Sequence, residues 1–111
     1  MKETDILHLI DHTMLKADAS EDVIRRVCDE AVKYHAHTVF THSCYTPFVK
    51  KCLADSGVLT GVTCGFPFGA QSTDIKVFEA RTSVNEGADE VDMVMNIGFL
   101  KSGRYDAVFA E

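Results

Sequence analysis

The chain has 111 residues, 46% of them hydrophobic and 25% charged, which is the balance of a globular domain long enough to bury a core. Seventeen acidic residues against eleven basic ones give a net charge of −6, which excludes the clustered Lys/Arg footprint of a nucleic-acid binder. No apolar run approaches the ~20 residues that span a bilayer. Met1-Lys2-Glu3-Thr4-Asp5 also lacks the basic-then-apolar pattern of a secretory signal, so a cytoplasmic protein is expected.

In chain order, Leu9 to Leu15 reads as a short strand running into a loop. Ser20 is placed to cap a helix, with Glu21 and Asp22 favouring the positive end of its dipole. Val23, Ile24, Val27, Cys28, Ala31 and Val32 then repeat at helical spacing to Tyr34. A second strand is expected at about His37 to His42. Pro47 suits the first turn of the next helix, which Gly57 would end.

The third strand is predicted over Val58 to Cys64, closing in the turn Gly65-Phe66-Pro67-Phe68-Gly69. Ser72 or Thr73 then caps a long helix. Ile75, Val77, Phe78, Ala80 and Val84 are expected on its buried side, with Lys76, Glu79 and Arg81 facing water. Gly87 ends it. The fourth strand runs from Glu90 to Ile97, and a last helix begins near Ser102 or Gly103.

Four strands separated by helices of roughly 10–15 residues predict an α/β fold with a parallel sheet built from right-handed βαβ units. That order fits either a small doubly wound sheet or part of a barrel. In the fourth strand alternation puts Val91, Met93, Met95 and Ile97 on one face, suited to packing under helices. Asp92, Val94 and Asn96 share the other. An ionised carboxylate on an inner strand face needs a cationic or hydrogen-bonding partner, or a functional pocket. Asp92 is therefore a functional candidate, with an edge strand or a backbone-bonded aspartate as the plain alternatives.

These residues also fall into blocks that resemble a known family. Ile10-Asp11-His12-Thr13-Met14-Leu15-Lys16 is similar to the opening of deoxyribose-phosphate aldolases, and Gly65 to Gly69 resembles their G-F-P-x-G turn. Val77-Phe78-Glu79-Ala80 is similar to their third-helix segment. Gly87 to Gly98, with Leu100-Lys101-Ser102-Gly103, is the longest match. The resemblance implies the first four units of a (β/α)8 TIM barrel in one partial domain over residues 1–111, truncated near the fourth helix.

The same resemblance implies a class I aldolase that needs no metal or other cofactor. Its substrate would be a small phosphorylated sugar, 2-deoxy-D-ribose 5-phosphate, cleaved to glyceraldehyde 3-phosphate and acetaldehyde. The electron sink would be a lysine Schiff base. Asp92 matches the family's proton-shuttling aspartate, while Asp11 and Thr13 match polar positions expected to line the substrate pocket.

Two departures qualify that implication. Thr41-His42-Ser43-Cys44 stands where the family has a V-N-P-like segment, and a change there could alter the pocket. No segment resembles the K-T-S-T-G block that carries the nucleophile. Lys16, Lys33, Lys50, Lys51, Lys76 and Lys101 all read as solvated lysines of loops and helices, so the chain alone is expected to be inactive. A complete barrel needs on the order of 250 residues. Four strands alone would leave two open edges, which favours association with another chain or a homo-oligomer.

The remaining constellations read as structural. Cys28, Cys44, Cys52 and Cys64 form no C-x-x-C pair and are expected as buried free thiols that behave as small hydrophobes. His35-Ala36-His37 and His42-Ser43-Cys44 are fragments that fall short of a zinc pattern, so no metal site is expected. Neither a G-x-x-x-x-G-K-[ST] nor a G-x-G-x-x-G phosphate loop occurs.

Overall fold

The computed structural model describes residues 2–111. Its centre is a four-stranded sheet in the order β1 (Asp11–Thr13), β2 (Thr38–Thr41), β3 (Leu59–Cys64) and β4 (Glu90–Met93). Every neighbouring pair is parallel. Helices α2 (Glu21–Tyr34), α3 (Thr46–Cys52) and α4 (Thr73–Asn85) form the crossovers, and α1 (Glu3–Leu7), α5 (Ile97–Lys101) and α6 (Tyr105–Ala110) complete the chain. This is the expected succession of βα units, the first half of a (β/α)8 barrel.

The core lies between the sheet and the first two crossover helices. Ile24, Val27, Cys28 and Ala31 of α2 pack with Val39 of β2, Val49 of α3, and Leu53 and Val58. Helix α2 matches its predicted bounds because its end signals are strong. Glu21 and Asp22 occupy the first turn and Lys33 the last, and His35 closes it at φ 54. Helix α3 is shorter than expected and ends at Cys52, leaving Gly57 to turn the chain at φ +79.

Strand β4 stops at Met93, four residues before the predicted Ile97. The Asn96 side chain accepts a hydrogen bond from the Phe99 amide at 3.0 Å and so starts α5, a helix absent from the sequence prediction. Helix α6 begins at Tyr105, slightly later than expected, and α1 was not anticipated. The expectation that Met93 and Met95 pack under helices is overturned: they are 44% and 47% exposed. Strand β4 is the sheet edge, so one of its sides has no neighbouring strand.

Helix α4 corrects the prediction most. Ile75, Val77, Phe78 and Val84 are exposed, whereas Lys76 and Ser83 are buried. The buried stripe still has helical spacing, running through Lys76, Glu79, Ala80 and Ser83, but its members are mostly polar. Each polar member is satisfied. Ser83 Oγ donates to the Glu79 carbonyl at 2.9 Å, and Glu79 accepts from Ser43 Oγ at 3.1 Å and from the Gly65 amide at 2.8 Å. Lys76, expected in water, is 1% exposed and pairs with Glu111.

The opposite face of the sheet is the one a closed barrel would turn inward. Val39 faces the helices, so alternation sends Thr38 and Phe40 the other way. Their cross-strand partners Asp11, Thr13, Leu59, Gly61 and Glu90 go with them, and one step further on so do Thr63 and Asp92. Phe40 is buried here over Gly61, where a Cβ would lie 2.6 Å from its ring.

Candidate active site

Asp92 stands on the third residue of β4, level with Thr63 of β3, and its side chain is exposed on the inner face. Both residues lie toward the C-terminal ends of the strands, where barrels of this architecture carry their chemistry. Two segments rim that end. In the turn Gly65–Gly69, glycine at both ends takes a positive φ. Across from it, His42 Nε2 meets the Leu15 carbonyl at 2.9 Å and its ring lies 5.7 Å from Phe66. The Thr41–Cys44 departure thus ties the exit of β2 to the loop after β1 and, through Ser43 and Glu79, to Gly65.

Asp11 and Thr13 share the inner face but not the position of Asp92. Thr13 Oγ1 donates to the Asp11 carbonyl at 2.8 Å, which turns the hydroxyl toward its own strand. The Asp11 carboxylate converges instead on His37 and Glu90, with ligand-type atoms of all three within 4.8 Å of one another. His37 Nε2 lies 2.8 Å from Glu90 Oε1, and Thr38 Oγ1 donates to Glu90 Oε2 at 3.4 Å. Among the described residues these three are the set whose donors converge closely enough for a metal. Here His37 and Glu90 form a hydrogen-bonded pair, with the Asp11 carboxylate beside it.

Sequence reasoning did not single out Glu90, and it weighed His37 only with His35 as a fragment of a zinc pattern. The signal for Glu90 was available, because a residue two before Asp92 must share its face, about 6.5 Å along the strand. For His37 there was none, since its partner lies 53 residues away. The inner face therefore carries three carboxylates, Asp11, Glu90 and Asp92, and no strand among the described residues holds a lysine. A carboxylate-lined floor of this kind can accept and return protons, and it complements a cation brought to it.

No family model matches the chain. A deoxyribose-phosphate aldolase of Finegoldia magna is 54% identical over 99 residues, covering 89% of this chain and 46% of the relative. One from Caldicellulosiruptor saccharolyticus is 43% identical over all 111 residues, half of its own length. The chain matches the N-terminal half of deoxyribose-phosphate aldolases. It spans about half the length of these relatives. Solved structures agree on the fold. A Coccidioides immitis structure carrying the same aldolase name superposes with a TM-score of 0.96 at 36% identity, covering 99% of this chain and 44% of that one. The tetrameric deoxyribose-phosphate aldolase of Aeropyrum pernix gives 0.87 at 29% identity, covering 96% and 44%.

Lys33, Lys50, Lys51, Lys76 and Lys101 all sit on helices, so the described strands supply acids and hydroxyls to the inner face and no amine nucleophile. Among the described residues no helix is long and apolar enough to cross a membrane.

Proposed function

We propose that this chain supplies the proton-transfer half of a deoxyribose-phosphate aldolase site in a cytoplasmic, metal-independent enzyme. The substrate is 2-deoxy-D-ribose 5-phosphate, and the products are glyceraldehyde 3-phosphate and acetaldehyde. The observation that carries the reading is Asp92, exposed on the inner face near the C-terminal end of β4, in a chain that matches the first half of these aldolases.

The chemistry divides between the halves. A lysine outside this chain forms the imine with the substrate aldehyde, whose nitrogen takes up the electron pair when the carbon–carbon bond breaks. Cleavage also requires a proton to leave the hydroxyl on the carbon that becomes the new aldehyde. A proton must then return to the enamine carbon. Asp92 is assigned to this shuttle, which is typically worth about 10²–10⁴-fold. Asp11 and Thr13 are assigned to substrate binding from the same face, with the His37–Glu90 pair beside the Asp11 end.

Complementation tests the proposal. The 111-residue chain is mixed with the separately produced remaining βα units of the Finegoldia magna relative, and cleavage of the substrate is measured. Activity is expected in the mixture only, with D92N lowering kcat by about 10²-fold or more. Borohydride with the chain alone should trap no adduct. An adduct on the isolated chain, or a D92N mixture as active as the parent, would overturn the assignment. The unpaired outer edges of β1 and β4 favour a second reading, a non-catalytic half-barrel that associates with another chain. It predicts a stable complex without turnover.

A further inference from the structure

Lys76 is an ionisable side chain that the aldolase reading leaves unused, although it is 1% exposed. Its Nζ donates to the Val94 carbonyl at 2.9 Å and to the Glu111 carboxylate, whose side chain is 3% exposed. Glu111 accepts a second bond from Thr73 Oγ1 at 3.0 Å. A buried ammonium persists only where an anion and further acceptors meet it, so these partners fix one geometry. Gly65 leaves room for the lysine stem, since a Cβ there would lie 2.9 Å from Lys76 Cε.

What this lysine holds is the exit of β4. Val94 follows Asp92 by two residues. Its amide donates to the Cys64 carbonyl at 3.0 Å while its carbonyl accepts from Lys76. The next carbonyl, that of Met95, lies so close to Gly69 that any side chain there would collide with it. Asn96 then caps α5. Backbone contacts clamp this segment on the sheet side, and Lys76 reaches it from α4 with Glu111 as counter-charge.

We propose that Lys76, oriented by Glu111, is a positioning residue for Asp92: it anchors the Val94 carbonyl and thereby fixes the end of the strand that carries the carboxylate. The inference takes its meaning from the reading of Asp92 as the proton shuttle, but its test needs no turnover. Failure of that reading would appear in the complementation assay with the clasp intact.

The test uses NMR on the 111-residue chain, reading amide exchange and the carboxyl-carbon chemical shift of Asp92 at fixed pH in the parent, K76R, K76M and the doubly neutral K76M/E111M. In K76M and the double variant, amides from Val94 to Phe99 should exchange at least about tenfold faster, with those of Val27 and Val39 unchanged. The Asp92 carboxyl carbon should change its chemical shift in both, and K76R should restore it. An unchanged Asp92 carboxyl shift, or uniform acceleration across the chain, overturns the proposal. Should the variants not fold, native-state exchange of the parent decides. The Val94–Phe99 amides and those of α6 must open as one unit, and separate opening counts against the clasp.

Discussion

Gly61 shows how one hydrogen atom can shape the inner face. The Phe40 ring fills the space a Cβ would take, and Phe40 is buried at 3% exposure, which leaves it little room to move aside. G61A should therefore destabilise the chain by about 1–3 kcal/mol through overpacking. F40L in the same chain should recover part of that loss, and urea unfolding of the single and double variants measures the coupling. The thiols divide as sharply. Burial pushes Cys28 up to about 12, and burial likewise raises Cys64, whereas Cys44, against the expectation of a buried thiol, is exposed. Iodoacetamide at pH 8 should label Cys44 first and leave Cys28 unmodified until the chain unfolds, as peptide mass spectrometry would show.

Between elements, Asp89 joins three at once. It accepts from Lys50 Nζ through both oxygens at 3.0 Å and from the Thr60 amide at 2.9 Å, tying α3 and β3 to the entry of β4. Burial works against its charged form, but the Thr60 amide and Lys50 outweigh that and lower its pKa. Glu111 is also lowered, chiefly by its hydrogen bond from Lys76. Carboxyls depressed in the folded state add stability that is fully present above their unfolded values, about 3.9 and 4.3. That stability is lost as the pH falls through the lower folded values. The urea midpoint should thus drop below about pH 4, and D89N should show a shallower drop.

At this scale the sequence is most legible where an element carries its own end signals and least where partners are remote. Helix α2 carries dipole-matched charges in its first and last turns, and its bounds came out as predicted, although the Ser20 side chain makes no capping bond. The buried stripe of α4 is polar because Lys76 finds Glu111 across 35 residues and Glu79 finds Ser43 across 36. Hydrophobic periodicity cannot register such partners and so assigned the wrong face. For the site, alternation along β4 placed Asp92 on the inner face, as observed. The gathering of Asp11 with His37 and Glu90 depends on the packing of three strands and had no local signal.

For the molecule as a whole, the open sheet has two free edges, and Met93, Met95, Ile97 and Leu9 lie exposed along or beside them. Light scattering should show concentration-dependent association of the isolated chain. M93K and M95K should reduce it without moving the urea midpoint by more than about 0.5 kcal/mol equivalent, because both positions are exposed. Self-closure into one barrel would gather the carboxylates of two inner faces, so association through the edges should strengthen as added salt screens that repulsion.

The spatial order of the strands is also their order in the chain, each pairing with its immediate predecessor. No strand has to wait for a later one to be inserted beside it. Loop closure is therefore limited to the length of one helical crossover at every step. During synthesis each unit can settle on the last as it leaves the ribosome, with the newest strand always the growing front. Whatever polypeptide completes the barrel meets a template already laid down, strand by strand, from the first.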